Sequence, residues 1–140
     1  MNVVALQYDI SWENREENFD TVRRLLTGSA VSPGSLIVLP EMFATGFSMD
    51  VAKLAEGRES ETEKFLSSLA WQYESHVIGG LVSRDPSSSM GRNELAVYDP
   101  SGRPVALYQK NYTFSYCLLY TSPSPRDQRG AGMAGWGCKK

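Results

Sequence analysis

The stretch Ser35-Leu36-Ile37-Val38-Leu39-Pro40-Glu41-Met42-Phe43 decides the fold. Its residues 36–40 are apolar without a break, and Pro33-Gly34 stand before them. A short apolar run with β-branched side chains and such boundaries predicts a strand that is buried on both faces. Glu41 follows the end of this strand, where open α/β sheets place their chemistry. The alternative is that Glu41 is a solvated loop residue, since charged side chains are mostly exposed.

Before this strand, the sequence predicts one strand and one helix. Residues 2–8 form an apolar run that indicates a buried first strand, a candidate for the centre of the sheet. Asn14 can cap a helix that runs to about Leu26. Phe19, Val22 and Leu26 recur at helical spacing, so they form the stripe that the helix buries.

After Glu41, a loop over residues 42–49 leads to a second helix and three strands. The helix is predicted from about Glu61 to Ser75, and Ser60 with Glu63 has the spacing of a capping box. The strands are predicted at residues 76–82, 93–98 and 104–110, the last two joined as a hairpin by the turn at 99–102. Gly79-Gly80 indicate a bulge or a close backbone approach. The order β-α-β-α-β-β-β predicts an α/β layered fold.

Composition excludes several classes of function. The chain has 140 residues and a net charge of -2, so charge gives no reason to expect nucleic acid or an anionic membrane as a partner. No apolar segment approaches the roughly 18 residues of a membrane span. The N-terminus lacks the basic region and cleavage site of a signal peptide, which favours a cytoplasmic location. His76, Cys117 and Cys138 have no metal-ligand spacing, and His76 is predicted to be structural.

Lys110 closes the fifth predicted strand as Glu41 closes the second. Opposite charges at two strand ends are candidates for one shared site. If the side chains come within a few ångströms, each favours the charged form of the other. The alternative is that they are two unrelated surface charges.

Three segments, in this order, resemble the carbon–nitrogen hydrolase (nitrilase) superfamily. They are Val3-Val4-Ala5-Leu6-Gln7-Tyr8-Asp9, Leu39-Pro40-Glu41-Met42-Phe43-Ala44-Thr45-Gly46-Phe47 and Tyr108-Gln109-Lys110-Asn111-Tyr112-Thr113-Phe114, and Asn93 and the turn at 99–102 also fit. The resemblance covers residues 1–116. The segment 41–47 is similar to the ω-amidase-type branch, whose members remove ammonia from monoamides of dicarboxylic acids. The implied fold is an incomplete nitrilase-type αββα sandwich.

The resemblance also implies a mechanism, because the family uses a Glu-Lys-Cys triad. Glu41 is then the general base and Lys110 the cation that stabilises the tetrahedral oxyanion. Tyr112 and Phe114 are candidates for substrate binding, with core packing as the alternative. The implied substrate is a small-molecule amide, hydrolysed through an acyl-thioenzyme without metal or cofactor. The expected assembly of the full-length parent is a homodimer, with neither nucleic acid nor membrane as partner.

The nucleophilic cysteine that the resemblance implies lies on a later strand, which this chain is not expected to reach. Residues 117–127 instead resemble a translated sequencing adapter, and residues 128–140 have no strand or helix period. We therefore predict that residues 117–140 are a non-native, disordered tail and that Cys117 is not the nucleophile. The chain would then be inactive by itself. The alternatives are a non-catalytic binding or regulatory module that keeps the half-site and, among enzymes, a nitrilase or a carbamoylase.

Overall fold

The structure is a computed structural model that describes residues 2–84, 87 and 90–111. The chain divides into two compact units, Met1–Gln109 and Lys110–Lys140. The helices and strands described here lie in the first unit. They are β1 (Val3–Ala5), α1 (Arg15–Thr27), β2 (Leu36–Val38), α2 (Val51–Leu54), α3 (Glu61–Gln72), β3 (His76–Arg84), β4 (Gly91–Tyr98) and β5 (Pro104–Gln109). No helix of the described residues is long and apolar enough to cross a membrane.

The strands form one five-stranded sheet in the order β1-β2-β3-β4-β5. β1, β2 and β3 run parallel to one another, and β4 and β5 continue the sheet as an antiparallel hairpin. The carboxyl ends of β1, β2 and β3 therefore meet at one edge. The predicted α/β class, the succession of strands and long helices along the chain and the pairing of the last two strands are confirmed. The short α2 was not predicted, because four residues are too few to show a helical period.

Two predictions about burial are wrong for the described residues. β1 is an edge strand rather than a central one, and Val3 is 58% exposed. In β2, Ile37 is buried, but Leu36 and Val38 are only half-buried. An apolar run shows that a strand has two apolar faces, whereas burial also depends on which elements cover them. Here α1 and α3 cover one face, and the short α2 covers only part of the other.

The helix-covered face of the sheet holds the main core. Residues at alternate positions of β1 to β4 pack there against α1 and α3: Val4, Ile37, Val77, Leu81, Ala96 and Tyr98. Phe19 of α1 stacks on Phe65 of α3 with ring centroids 4.0 Å apart. Both predicted caps are confirmed, since Asn14 accepts a bond from the Glu17 backbone N–H and Ser60 with Glu63 forms a capping box.

The opposite face of the sheet, which we call the open face, is only partly covered. Residues that pair across the strands share a face, which assigns to it Val3, Ala5, Leu36, Val38, Ile78, Gly80, Val82, Asn93, Leu95, Val97, Ala106 and Tyr108. Leu95 is 38% exposed and Tyr108 is 56% exposed. Among the described residues, this face is covered towards the carboxyl end of β3, where Val82 packs with Met42, Leu54 and Ala55.

Candidate functional site

Glu41 lies just past the carboxyl end of β2, as predicted. The Leu39 N–H still donates to the Ile78 carbonyl of β3 at 2.8 Å, so pairing ends two residues before Glu41. The backbone of Glu41 then crosses directly over Gly80 of β3. A Cβ added at Gly80 would lie 2.8 Å from the Glu41 Cα and 2.9 Å from the Met42 nitrogen. The predicted close approach is confirmed, whereas the alternative of a bulge is wrong, since β3 and β4 pair without a break from Val77 to Arg84.

A tight turn follows Glu41. Met42 has a φ of 51°, in the left-handed region that non-glycine residues rarely adopt. Its carbonyl accepts bonds from the Thr45 N–H at 3.1 Å and from the Gly46 N–H at 2.8 Å. The left-handed conformation costs roughly 1–2 kcal/mol. Such strain persists only where surrounding contacts hold the backbone in place.

Three contacts from the N-terminal part of the chain fix this turn. The Tyr8 hydroxyl donates to the Phe43 carbonyl at 3.0 Å, the Asn18 amide to the Ala44 carbonyl at 2.8 Å and the Glu13 N–H to the Thr45 carbonyl at 3.0 Å. Burial raises the pKa of Tyr8, so its hydroxyl keeps the proton that it donates. Three successive carbonyls therefore have a defined partner each, and these bonds restrain the backbone of the segment after Glu41.

The side chain of Glu13 secures the far end of the same loop. Its carboxylate accepts from the Ser48 hydroxyl at 2.5 Å and from the Lys53 ammonium at 2.6 Å. The hydrogen bond from Lys53, followed by that from Ser48, holds the pKa of Glu13 below its ordinary value of 4.5. The Glu13 carboxylate and the fully buried Asn18 together hold the loop between residue 42 and α2 against the rest of the first unit.

Asn93 of β4 binds the Glu41 carboxylate. Its Nδ2 donates to the Glu41 Oε1 at 2.5 Å, and its backbone pairs with Val82 in the β3–β4 ladder. Sequence reasoning noted Asn93 as part of the family pattern but did not place it in the site. The available signal was the residue type, because asparagine is depleted in strands.

The other predicted site residues are not tested by the described structure. Lys110 is the first residue of the second unit and is half-buried, so its approach to Glu41 stays a prediction. Tyr112, Phe114 and Cys117 lie outside the described residues. His76 is exposed. Within the described part of the chain, no group of three or more His, Cys, Asp or Glu side chains could hold a metal ion.

A groove of about 970 Å³ lies on the other side of the sheet, between α3 and β5. Its lining includes Trp71, Tyr98, Val105 and Leu107 but neither Glu41 nor Asn93. This groove therefore does not serve the Glu41 carboxylate, which belongs to the open face and its edge.

Known proteins that are similar in sequence indicate the family of this chain. The sequence profile described as "Carbon-nitrogen hydrolase" matches residues 2–133. Hydrolase C26A3.11 of Schizosaccharomyces pombe is 30% identical over 108 residues, which are 73% of this chain and 32% of that protein. Omega-amidase YafV of Escherichia coli is 26% identical over 114 residues, 81% of this chain and 42% of that protein. The chain thus spans less than half the length of these relatives.

Solved structures match the described sheet and helices. The crystal structure of an N-terminal amidase superposes with a TM-score of 0.71 at 20% identity, over 80% of this chain and 28% of that one. XC1258 from Xanthomonas campestris, a CN-hydrolase superfamily protein, gives a TM-score of 0.70 at 25% identity, over 80% and 41% of the two chains. These matches support the expected fold.

The profile match extends beyond the domain boundary that was predicted at residue 116. It continues to residue 133, past residue 116, where the resemblance was expected to stop. Residues from 112 onward lie outside the described structure, so the boundary at 116 and the tail at 117–140 stay predictions. Since the profile matches nearly the whole sequence, the chain belongs to the carbon–nitrogen hydrolase family.

Proposed function

We propose that this chain is part of an amidase that hydrolyses a small-molecule ω-amide, with Glu41 as the general base. The observation that carries the proposal is the state of Glu41. Its backbone rests on Gly80, its loop is held by three successive bonds and its carboxylate is bound by Asn93. A carboxylate fixed in this way at a sheet edge suits proton transfer, because a general base must be held within reach of its proton.

The proposed chemistry needs three groups. Glu41 takes the proton of a cysteine thiol, which then attacks the amide carbonyl, and Lys110 stabilises the oxyanion that forms. Glu41 then gives that proton to the amide nitrogen, which leaves as ammonia. Water attacks the thioester and loses a proton to Glu41, and this proton returns to the sulfur as the cysteine leaves. Tyr112 and Phe114 are the proposed pocket residues. The ω-amide class is supported by the similarity to an omega-amidase from Escherichia coli.

We propose further that the 140-residue chain is inactive by itself. Cys117 follows Lys110 by only seven positions and lies in the segment that we predict to be non-native. Loss of the nucleophile closes the acyl-transfer route, at a cost of several orders of magnitude in rate by analogy with serine hydrolases. The longer protein is proposed to be cytoplasmic and homodimeric, as the family resemblance implies.

The first experiment assays the 140-residue chain for ammonia release from monoamides of dicarboxylic acids, with Cys117→Ala as the matched control. We expect both proteins to match the enzyme-free blank. Turnover that disappears in Cys117→Ala would contradict the proposal and make Cys117 a nucleophile.

The second experiment re-reads the source DNA across codon 116. A longer frame with a cysteine on a further strand is expected, and its product should release ammonia from ω-monoamides faster than it hydrolyses nitriles or carbamoyl compounds. A longer protein that binds such amides without turnover would favour a binding module instead.

A further inference from the structure

The Glu41 carboxylate is held from a strand rather than from its own loop. Asn93 lies near the start of β4, where it pairs with Val82, and the β3–β4 ladder extends from Val77 to Arg84 on β3. A donor on a paired strand has a fixed position, whereas one on a loop would move with the loop. The bond from Asn93 Nδ2 to Glu41 Oε1, at 2.5 Å, therefore ties a residue past a strand end to the rigid part of the sheet.

The same two strands, β3 and β4, determine how closely the Glu41 backbone approaches the sheet. Gly80 of β3 and Asn93 of β4 both belong to the open face, as their pairing with Leu95 and Val82 shows. The missing side chain at Gly80 lets the Glu41 Cα approach, since an added Cβ would lie 2.8 Å away. Gly80 thus positions the backbone of Glu41, and Asn93 positions its carboxylate.

The residue type at position 93 suits a general base. The amide of asparagine donates a hydrogen bond without carrying a charge. An aspartate in its place would repel the carboxylate. A neutral donor can fix the plane of the Glu41 carboxylate and still allow that carboxylate to take up a proton during the reaction.

We propose that Asn93 is a positioning residue that orients the Glu41 carboxylate for proton transfer, and that the absence of a side chain at Gly80 makes room for the Glu41 backbone. This inference rests on the proposed function, because orientation matters to catalysis only if Glu41 is the base. The hydrogen bond itself is independent of activity and can be measured separately.

The structural test uses the 140-residue chain labelled with ¹⁵N, and follows the side-chain amide of Asn93 by NMR. In Glu41→Ala, the Asn93 amide protons are expected to shift upfield and to exchange faster with water, because the carboxylate acceptor is gone. The internal control is Asn14, whose Nδ2 donates to Glu17 Oε2 at 2.9 Å on the exposed surface of α1. The Asn14 signals should stay in place in Glu41→Ala and move in Glu17→Ala. An Asn93 signal that is unchanged in Glu41→Ala would overturn the proposal.

The functional test uses the longer protein. Asn93→Leu keeps the approximate shape and removes the donor, and we expect kcat to fall roughly 100-fold with KM nearly unchanged, as for a small displacement of a catalytic group. Asn93→Gln, which keeps a neutral amide donor on a chain one methylene longer, should recover part of the rate. A purely structural role would lower stability in both variants without this recovery and would overturn the proposal.

The two tests separate the two proposals. If the NMR result holds and the longer protein releases no ammonia from ω-amides, the proposed function is wrong while the contact is real. If ammonia is released but Asn93→Leu retains the parent kcat, the amidase function stands and the positioning role is wrong.

Discussion

The two faces of the sheet have similar sequences but different surroundings. On the helix-covered face, Ile37, Val77 and Leu66 of the facing α3 are inaccessible to solvent, at 0% exposure each. On the open face, Val3 and Tyr108 are more than half exposed. Stability therefore comes mainly from one face, while the other carries Glu41 and Asn93.

This difference shows how a strand end can be both rigid and accessible. The helix-covered face anchors β2 and β3, and Asn18 extends that anchoring to the loop after Glu41 through the Ala44 carbonyl. The side chain of Glu41 is exposed, which leaves its carboxylate accessible for the proposed role as general base. Substitutions on the helix-covered face should thus mainly lower stability, whereas those on the open face should mainly affect the position of Glu41.

The largest expected difference is between two leucines. Leu66→Ala should lower the free energy of unfolding by about 3 kcal/mol. The Leu66 side chain is fully buried, so its removal leaves a cavity in the core. Leu95→Ala on the open face should lower it by less than about 1 kcal/mol. Urea denaturation of both variants measures the difference. Equal losses would show that the open face is buried in solution.

The next effect concerns Asn18, which connects α1 to the Glu41 loop. Asn18→Ala removes three hydrogen bonds, to both backbone groups of Ser11 and to the Ala44 carbonyl, and leaves buried polar groups without partners. We expect a loss of about 2–3 kcal/mol in the free energy of unfolding. The exposed Asn2, changed to Ala, is the matched control and should be nearly neutral. If the two variants have the same denaturation midpoint, Asn18 does not fasten the loop.

Two neighbouring glycines test the faces separately. A Cβ at Gly80 would meet the Glu41 backbone, whereas one at Gly79 would meet the Leu66 Cδ2 at 2.6 Å. Each Ala variant should lose about 1–2 kcal/mol of stability. Gly80→Ala should also displace the Glu41 backbone and weaken the Asn93 hydrogen bond, and more so than Gly79→Ala, whose Cβ reaches only a side-chain carbon of the same loop, Phe43 Cε1 at 3.2 Å. NMR of the Asn93 amide would show the difference. Gly57→Ala, where nothing lies within 4 Å of the new Cβ, is the control for both.

The smallest effect is the pH dependence of the Glu13–Lys53 contact. Because the pKa of Glu13 is lowered in the folded chain, its contribution to stability is present above the ordinary value of 4.5 and disappears as pH falls through the folded pKa. Glu13→Gln should lower the Tm at neutral pH and change it less at acidic pH. Lys53→Met should have the same effect, and the double variant should add little. A Tm difference that grows on acidification would contradict this account.

The sequence predicted the succession of strands and long helices along the chain and both helix caps, because these depend on local spacing. Asn14 and the pair of Ser60 and Glu63 each satisfy a helix end within four residues, so the signal is in the chain itself. The edge position of β1 and the half-burial of Leu36 and Val38 could not be predicted. They depend on which strands pair and on what covers each face, and an apolar run carries neither kind of information.

The same distinction applies to the site. The position of Glu41 followed from the end of an apolar run, and Gly80 was predicted to be a close approach without its partner being known. The contact between Asn93 and Glu41 joins residues 52 positions apart, so it arises only when β2, β3 and β4 pair. The left-handed φ of Met42 could not be predicted from the sequence either, because methionine has no preference for that conformation.

The role of Glu41 is tested most directly by one substitution in the longer protein. Glu41→Gln keeps the size of the side chain and removes the base, and Glu61→Gln, at the exposed start of α3, is the matched control. We predict that kcat/KM for ammonia release from an ω-monoamide falls roughly 1000-fold or more in Glu41→Gln, in the range expected for loss of a general base, and stays at the parent value in Glu61→Gln. A Glu41→Gln enzyme that keeps the parent rate would contradict the assignment of Glu41 as the general base.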